Sequence, residues 1–141
     1  MKRLAIVLGL GTLMAACATD HTSINGTWRA TLSSSNGAEE FDFTTGLVAI
    51  SNNGLNVTNL TFNSQNPCFP GTSTASGAFA SSGDFNGNAS GGFQLTVNST
   101  TGGNQLTLIG MLNQNSLAGT WTLTGQTSGC TGSGTFIMNR G

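Results

Sequence analysis

Beyond residue 22 the chain is cut into short extended segments by clusters of glycine, asparagine and serine, and this alternation limits its fold more than any other feature. Apolar residues recur at every second position in several segments, as at Phe93, Leu95 and Val97. Such a pattern is typical of a strand with one buried face, and no segment after residue 22 has a helical apolar period. We predict eight strands, over 24–33, 39–51, 55–63, 72–85, 92–99, 105–113, 117–125 and 134–140.

The composition agrees with an all-β chain. Gly, Thr, Ser and Asn together supply 72 of the 141 residues, and all but Thr are poor helix formers that favour turns. An all-helical fold is therefore excluded. Because 37% of the residues are hydrophobic and only 6% are charged, a disordered, charge-rich chain is excluded as well.

Strands joined in sequence by short turns form a meander, and a meander removes its exposed edges by closing on itself. We therefore predict an eight-stranded antiparallel up-and-down barrel, with a two-sheet sandwich as the alternative. Within the third segment the apolar face changes between Val57 and Leu60, which predicts a β-bulge near Asn59.

The first 17 residues have the features of an export signal. Lys2 and Arg3 precede an apolar run over residues 4–16 that is too short for a membrane-spanning helix. A buried N-terminal helix is one alternative, and an ordinary signal peptide that is cut after Ala16 is another.

The end of this run, Leu13-Met14-Ala15-Ala16-Cys17, resembles the lipobox of bacterial lipoproteins. The resemblance implies that Cys17 becomes an acylated first residue anchored in a membrane. By analogy with lipoprotein sorting in two-membrane bacteria, Ala18 instead of Asp after the cysteine favours the outer membrane as the expected location. The resulting domain prediction is a signal peptide at 1–16, a lipidated tether at 17–22 and one barrel domain at 23–141.

If Cys17 carries lipid, Cys68 and Cys130 are left. Export leads to an oxidising compartment, so we expect these two thiols to form a disulfide, with two free buried thiols as the alternative. Closing the intervening loop would add roughly 4 kcal/mol in the chain-entropy model. No metal site is expected, because there is no Cys-x-x-Cys spacing and the only histidine, His21, lies in the tether.

Catalytic chemistry is poorly represented. His21 lies too close to the anchor to serve a Ser–His or Cys–His pair. Paired acids that hydrolyse glycosides must sit in a cleft, whereas Glu39, Glu40 and Asp42 are expected on a solvated strand. The segment 84–88 begins like a calcium loop but lacks the later glycine and acid, so Asp84 is expected in a turn. We predict no enzyme and no cofactor.

After residue 16 the cations are Arg29 and Arg140, against five acids, so this part carries a net charge of −3. Two arginines cannot follow a phosphate backbone, which excludes nucleic acid as a partner. The expected partners are a membrane, through acylated Cys17, and a small apolar or glycan ligand if the barrel is open inside.

The tripeptide Gly-Thr-Trp occurs twice, ending at Trp28 and at Trp121. The first copy, the up-and-down layout and Arg140 on the last strand resemble the calycin group, which includes lipocalins and avidin-like proteins. The resemblance implies that Trp28 plugs one barrel end, with Arg140 packed over its ring by a cation–π attraction of about 0.5–2 kcal/mol. We expect Trp121 to help close that end; the alternative is that both tryptophans are plain core residues.

Together these features predict a lipid-anchored protein of the cell envelope whose barrel binds or interacts without catalysis. The alternatives are a structural or adhesin-like surface lipoprotein with a filled core and, less favoured by the residues, a glycoside-processing enzyme. The volume inside the barrel separates them: a cavity of at least about 300 Å³ indicates a ligand site, and a filled interior indicates a structural role.

Overall fold

The computed structural model describes residues 23–63, 66–70, 73–85, 88–100 and 103–141. The predicted signal peptide, Cys17 and His21 lie outside these residues. Within them, no helix is both long enough and apolar enough to cross a membrane.

Eight strands follow one another along the described chain, as the sequence predicts. They are β1 (Gly26–Ser34), β2 (Glu39–Ile50), β3 (Gly54–Phe62), β4 (Ser73–Phe85), β5 (Asn88–Ser99), β6 (Gln105–Asn113), β7 (Ser116–Thr124) and β8 (Gly132–Arg140). The largest difference is at β5, which begins four residues before the predicted position because Asn88 pairs with Phe85. β1 begins two residues later than predicted, so Ile24 precedes it, and β8 begins two residues earlier.

Each strand pairs antiparallel with its neighbours in sequence, and β1 also pairs with β8, so the sheet closes into a barrel. Closure confirms the predicted barrel and excludes the sandwich. In an up-and-down barrel the turns alternate between two ends. We call the end where β1 begins and β8 finishes the arginine end, after Arg140, and the opposite end the disulfide end, after Cys68 and Cys130.

The predicted bulge is confirmed. The pairing of β2 with β3 shifts register between Thr44 and Gly46, and Asn59 opposite them has a φ of 52°. A left-handed residue at this point moves the next apolar side chains to the other face of the strand. The seam between β3 and β4 is the shortest in the barrel, with only Gly54–Ala78 and Leu55–Gly77 in register.

Alternate side chains from all eight strands meet inside the barrel in one continuous hydrophobic core. Its largest fully buried members are Trp28, Phe43, Phe136, Ile24, Leu32, Leu47, Leu95, Leu106, Leu108, Leu112, Leu117 and Met138. Aromatic rings contact one another across strands, with 5.7 Å between the centroids of Phe43 and Phe62 and 6.1 Å between those of Phe93 and Phe136. These side chains therefore meet inside the barrel.

One inward position on β8 needs a glycine. A Cβ on Gly134 would overlap the carbonyl oxygen of Ser33 and lie 2.8 Å from Nε1 of Trp121. The same Nε1–H donates a 2.9 Å hydrogen bond to that carbonyl, so the missing side chain makes room for the indole. Packing this close leaves no space for even one methyl group.

We expect Gly134→Ala to lower the free energy of unfolding by about 1–3 kcal/mol, because the methyl group must displace the Trp121 ring or the β1 backbone. Urea unfolding monitored by tryptophan fluorescence measures the change. Gly92→Ala is the matched control, since a Cβ at Gly92 meets no atom within 4 Å. Equal stability of the Gly134→Ala and Gly92→Ala proteins would contradict this close packing around Gly134.

Candidate functional site

The arginine end is closed by the chain itself just before β1. Ile24 is fully buried, and its carbonyl accepts a 2.8 Å hydrogen bond from Nε1–H of Trp28, which is also fully buried. The chain then enters β1 through Gly26, whose φ of 142° favours glycine. Residues 23–25 thus fold over the barrel end, and we call them the N-terminal strap.

Arg140 fastens this strap to the barrel. Its guanidinium carbon lies 4.5 Å from the centre of the Trp28 ring, so the two side chains are in the contact that the calycin resemblance implies. Nη1 donates a 2.9 Å hydrogen bond to the carbonyl of Asn25, and Nη2 donates to the carbonyl of Ser23. Nε donates at 3.1 Å to Oδ1 of Asn115 in the turn between β6 and β7.

One cation thereby joins four separate parts of the arginine end: the start of β1, the end of β8, the strap and the β6–β7 turn. Hydrogen bonds to a charged group are stronger than neutral ones, and the planar fork of arginine suits several carbonyls at once. The strap is also joined to β2, because Oδ1 of Asn25 accepts a 2.7 Å hydrogen bond from the Ala49 amide. Sequence reasoning placed Arg140 correctly but did not find the roles of Ile24 and Asn25.

Trp121 lies at the disulfide end, so the expectation that it closes the same end as Trp28 is wrong. Its Nε1–H bonds to Ser33, near the finish of β1, and its ring meets Phe41 edge-on at 5.6 Å. The second Gly-Thr-Trp copy starts well inside β7, whereas the first starts β1. That offset, added to the tilt of the strands, separates the two indoles along the barrel.

Cys68 and Cys130 form a disulfide, as the sequence predicts. The bond joins the segment between β3 and β4 to the segment between β7 and β8, with Cα atoms 5.6 Å apart. Phe69, beside Cys68, stacks on Phe62 at 5.1 Å. The disulfide and this stack cover the disulfide end of the core.

Asn104 is a buried polar residue of this cover that sequence reasoning missed. Its Nδ2–H₂ group donates to the carbonyl of Cys68 at 2.9 Å and to Oγ1 of Thr127 at 3.2 Å. A single amide therefore bridges the two loops that the disulfide joins. Buried amides are retained where they satisfy backbone groups that water cannot reach.

Among the acidic residues, Glu40 and Asp42 have side chains in the described part of the chain. Glu40 is exposed on β2 near the disulfide end and Asp42 is half-buried. The side chains of Glu39 and Asp84 lie outside the described set. Among the residues described, no three His, Cys, Asp or Glu side chains come together as metal ligands.

Large apolar side chains are exposed on two sides of the barrel wall. Ile109, Met111 and Ile137 are each more than half exposed on β6 and β8. Val48 and Ile50 are exposed on β2, at its arginine end. Contiguous apolar surface on a folded protein marks a contact site more often than scattered single residues do.

Comparisons of the chain with protein-family models, curated proteins and solved structures give no match. The features of this chain that bear on its function are a continuous hydrophobic core, a strapped arginine end, a disulfide-bonded opposite end and apolar side chains exposed on the outer wall.

Proposed function

We propose that the protein is an exported, lipid-anchored protein of the cell envelope whose barrel is a non-catalytic interaction module. The strap at the arginine end supports this most directly. Residues 23–25 are fixed to the barrel by Arg140 and Asn25, so the chain enters the fold at a defined place. An anchor at Cys17 would hold that end towards the membrane, and Ala18 favours the outer membrane in a two-membrane host.

The packed core favours interaction through the outer surface over a ligand held inside. Inward side chains from every strand form one hydrophobic core, and tryptophans lie near both ends of it. A small-molecule site instead needs a concave pocket that buries most of the ligand. A structural or adhesin-like lipoprotein is supported by the same observation, and the two proposals share the anchor and the absence of catalysis.

The disulfide supports export independently of the leader. Disulfides persist in oxidising compartments and are rare in the reducing cytosol. Because Cys68 and Cys130 are bonded to each other, the remaining cysteine of the sequence is Cys17, the residue that the lipobox resemblance assigns to lipidation.

Cys17→Ser is expected to abolish incorporation of a clickable fatty acid and to leave the unprocessed precursor, because the Cys17 thiol receives the diacylglyceryl group that carries the fatty acids. Bacteria expressing the full chain are fed the fatty acid, and label is measured on the purified protein with intact mass. Ala18→Ser is the matched control: it changes the neighbouring residue and should keep the label. Labelling of the Cys17→Ser chain at the wild-type level, or no labelling of the wild type, would overturn the anchor.

A further inference from the structure

The exposed apolar residues of β6–β8 form one surface. Ala118 on β7 pairs with Met111 on β6 and with Ile137 on β8, and all three side chains point outward. Ile109, two residues before Met111, extends the row along β6. Ile109, Met111 and Ile137 are 57%, 55% and 52% exposed. We call these four residues the β6–β8 face.

No charge interrupts this surface. Residues 85–139 contain no Lys, Arg, Asp or Glu, so β5, β6 and β7 are uncharged and β8 carries charge only at Arg140. A typical exposed protein wall mixes charges of both signs, which keep it in water. An uncharged wall avoids the cost of taking ions out of water, and its large apolar side chains gain free energy when they leave water.

The β6–β8 face lies beside the place where the chain enters the barrel. Nη2 of Arg140 donates to the carbonyls of both Ser23, in the strap, and Gln114, in the β6–β7 turn three residues after Met111. Residues 18–22 separate Cys17 from Ser23, and the six steps between their Cα atoms span at most about 22 Å. An anchor at Cys17 therefore keeps this face within reach of the membrane surface.

We infer that the β6–β8 face docks against the neutral lipid surface of the membrane that holds the anchor, so that the barrel rests on its side instead of standing on a free tether. The inference depends on the proposed anchor. A lipid surface suits the face better than a charged partner, because residues 85–139 offer no ion pairs. Val48 and Ile50 lie on β2, which β1 separates from β8, and they are not part of the β6–β8 face.

Met111 and Met138 provide a label-free test. Met111 is 55% exposed within the face, whereas Met138 is fully buried, and peroxide oxidises accessible methionine to the sulfoxide. All eight strands lie within residues 26–140, so a chain of residues 17–141 keeps the complete barrel. Its Cys17 thiol is coupled to a maleimide phospholipid in phosphatidylcholine vesicles, and oxidation of each methionine is followed by mass spectrometry.

We expect Met111 to be oxidised several-fold more slowly on vesicles than in the same chain capped at Cys17 with N-ethylmaleimide, while Met138 stays slow in both. Replacing Ile109 and Ile137 with asparagine should remove the protection. Replacing Val48 and Ile50 with asparagine, the same chemical change on β2, should leave it intact. Slow oxidation of Met138 shows that each variant is folded.

The remaining outcomes are distinguishable. Equal oxidation of Met111 on vesicles and in the capped chain would overturn the docking. The docking would also be overturned if Met111 of the capped chain became more protected from oxidation as the protein concentration rises, because the face would then bind a second copy. Protection on vesicles together with an unacylated Cys17 in cells would overturn the proposed anchor and leave the lipid affinity of the β6–β8 face standing.

Discussion

Replacing Trp28 with alanine is expected to lower the free energy of unfolding by about 3–5 kcal/mol, the range for truncating a fully buried aromatic residue. Trp28 has no exposed surface, and its loss would also leave the Ile24 carbonyl without its donor. Urea unfolding followed by the fluorescence of Trp121 measures the change.

Arg140→Ala should cost about 1.5–3 kcal/mol, because it removes charge-assisted hydrogen bonds to the strap. A double-mutant cycle with Trp28→Ala should be non-additive by about 0.5–2 kcal/mol, the cation–π contribution of two side chains in contact. Arg140→Lys separates the two effects: it keeps the charge over the ring but loses the planar fork. If the costs of the two single substitutions add up to the cost of the double variant within about 0.3 kcal/mol, a direct Trp28–Arg140 contact is contradicted.

The fold could be predicted from the sequence because its determinants are local. Period-two patterning at Phe93, Leu95 and Val97 places one face of β5 inside, and the phase change near Asn59 locates the bulge. Closure followed from the number of strands and the short turns. The lack of charged residues on four of the eight strands did not obscure this pattern, since Thr and Asn fill outward positions.

The ends of the barrel could be predicted only in part, because contacts there join residues that are distant in sequence. The Cys68–Cys130 pair was found since few cysteines were available. Asn104 was missed because one asparagine among fifteen carries no sign that it will be buried between two loops. Trp121 was placed at the wrong end because a repeated tripeptide does not reveal where along its strand it lies.

Removing the disulfide is expected to lower the free energy of unfolding by roughly 4 kcal/mol, through the greater freedom of the unfolded chain. The bond spans 62 residues and therefore restricts β4, β5, β6 and β7 together in that state. The variant is Cys68→Ala with Cys130→Ala, compared with wild type in urea, with and without a reductant. Reductant should weaken the wild type to the level of the variant and leave the variant unchanged.

The slope of the unfolding curve against urea shows where this effect originates. A chain without the cross-link exposes more surface on unfolding, so the variant should have a steeper urea dependence than the oxidised wild type. Asn104→Ala provides the contrast. It removes native hydrogen bonds to Cys68 and Thr127 while keeping the disulfide, so it should lower stability without changing the slope. An unchanged slope in the cysteine variant would mean that the bond mainly holds the folded loops over the core, and that the contacts of Phe69 and Asn104 depend on it.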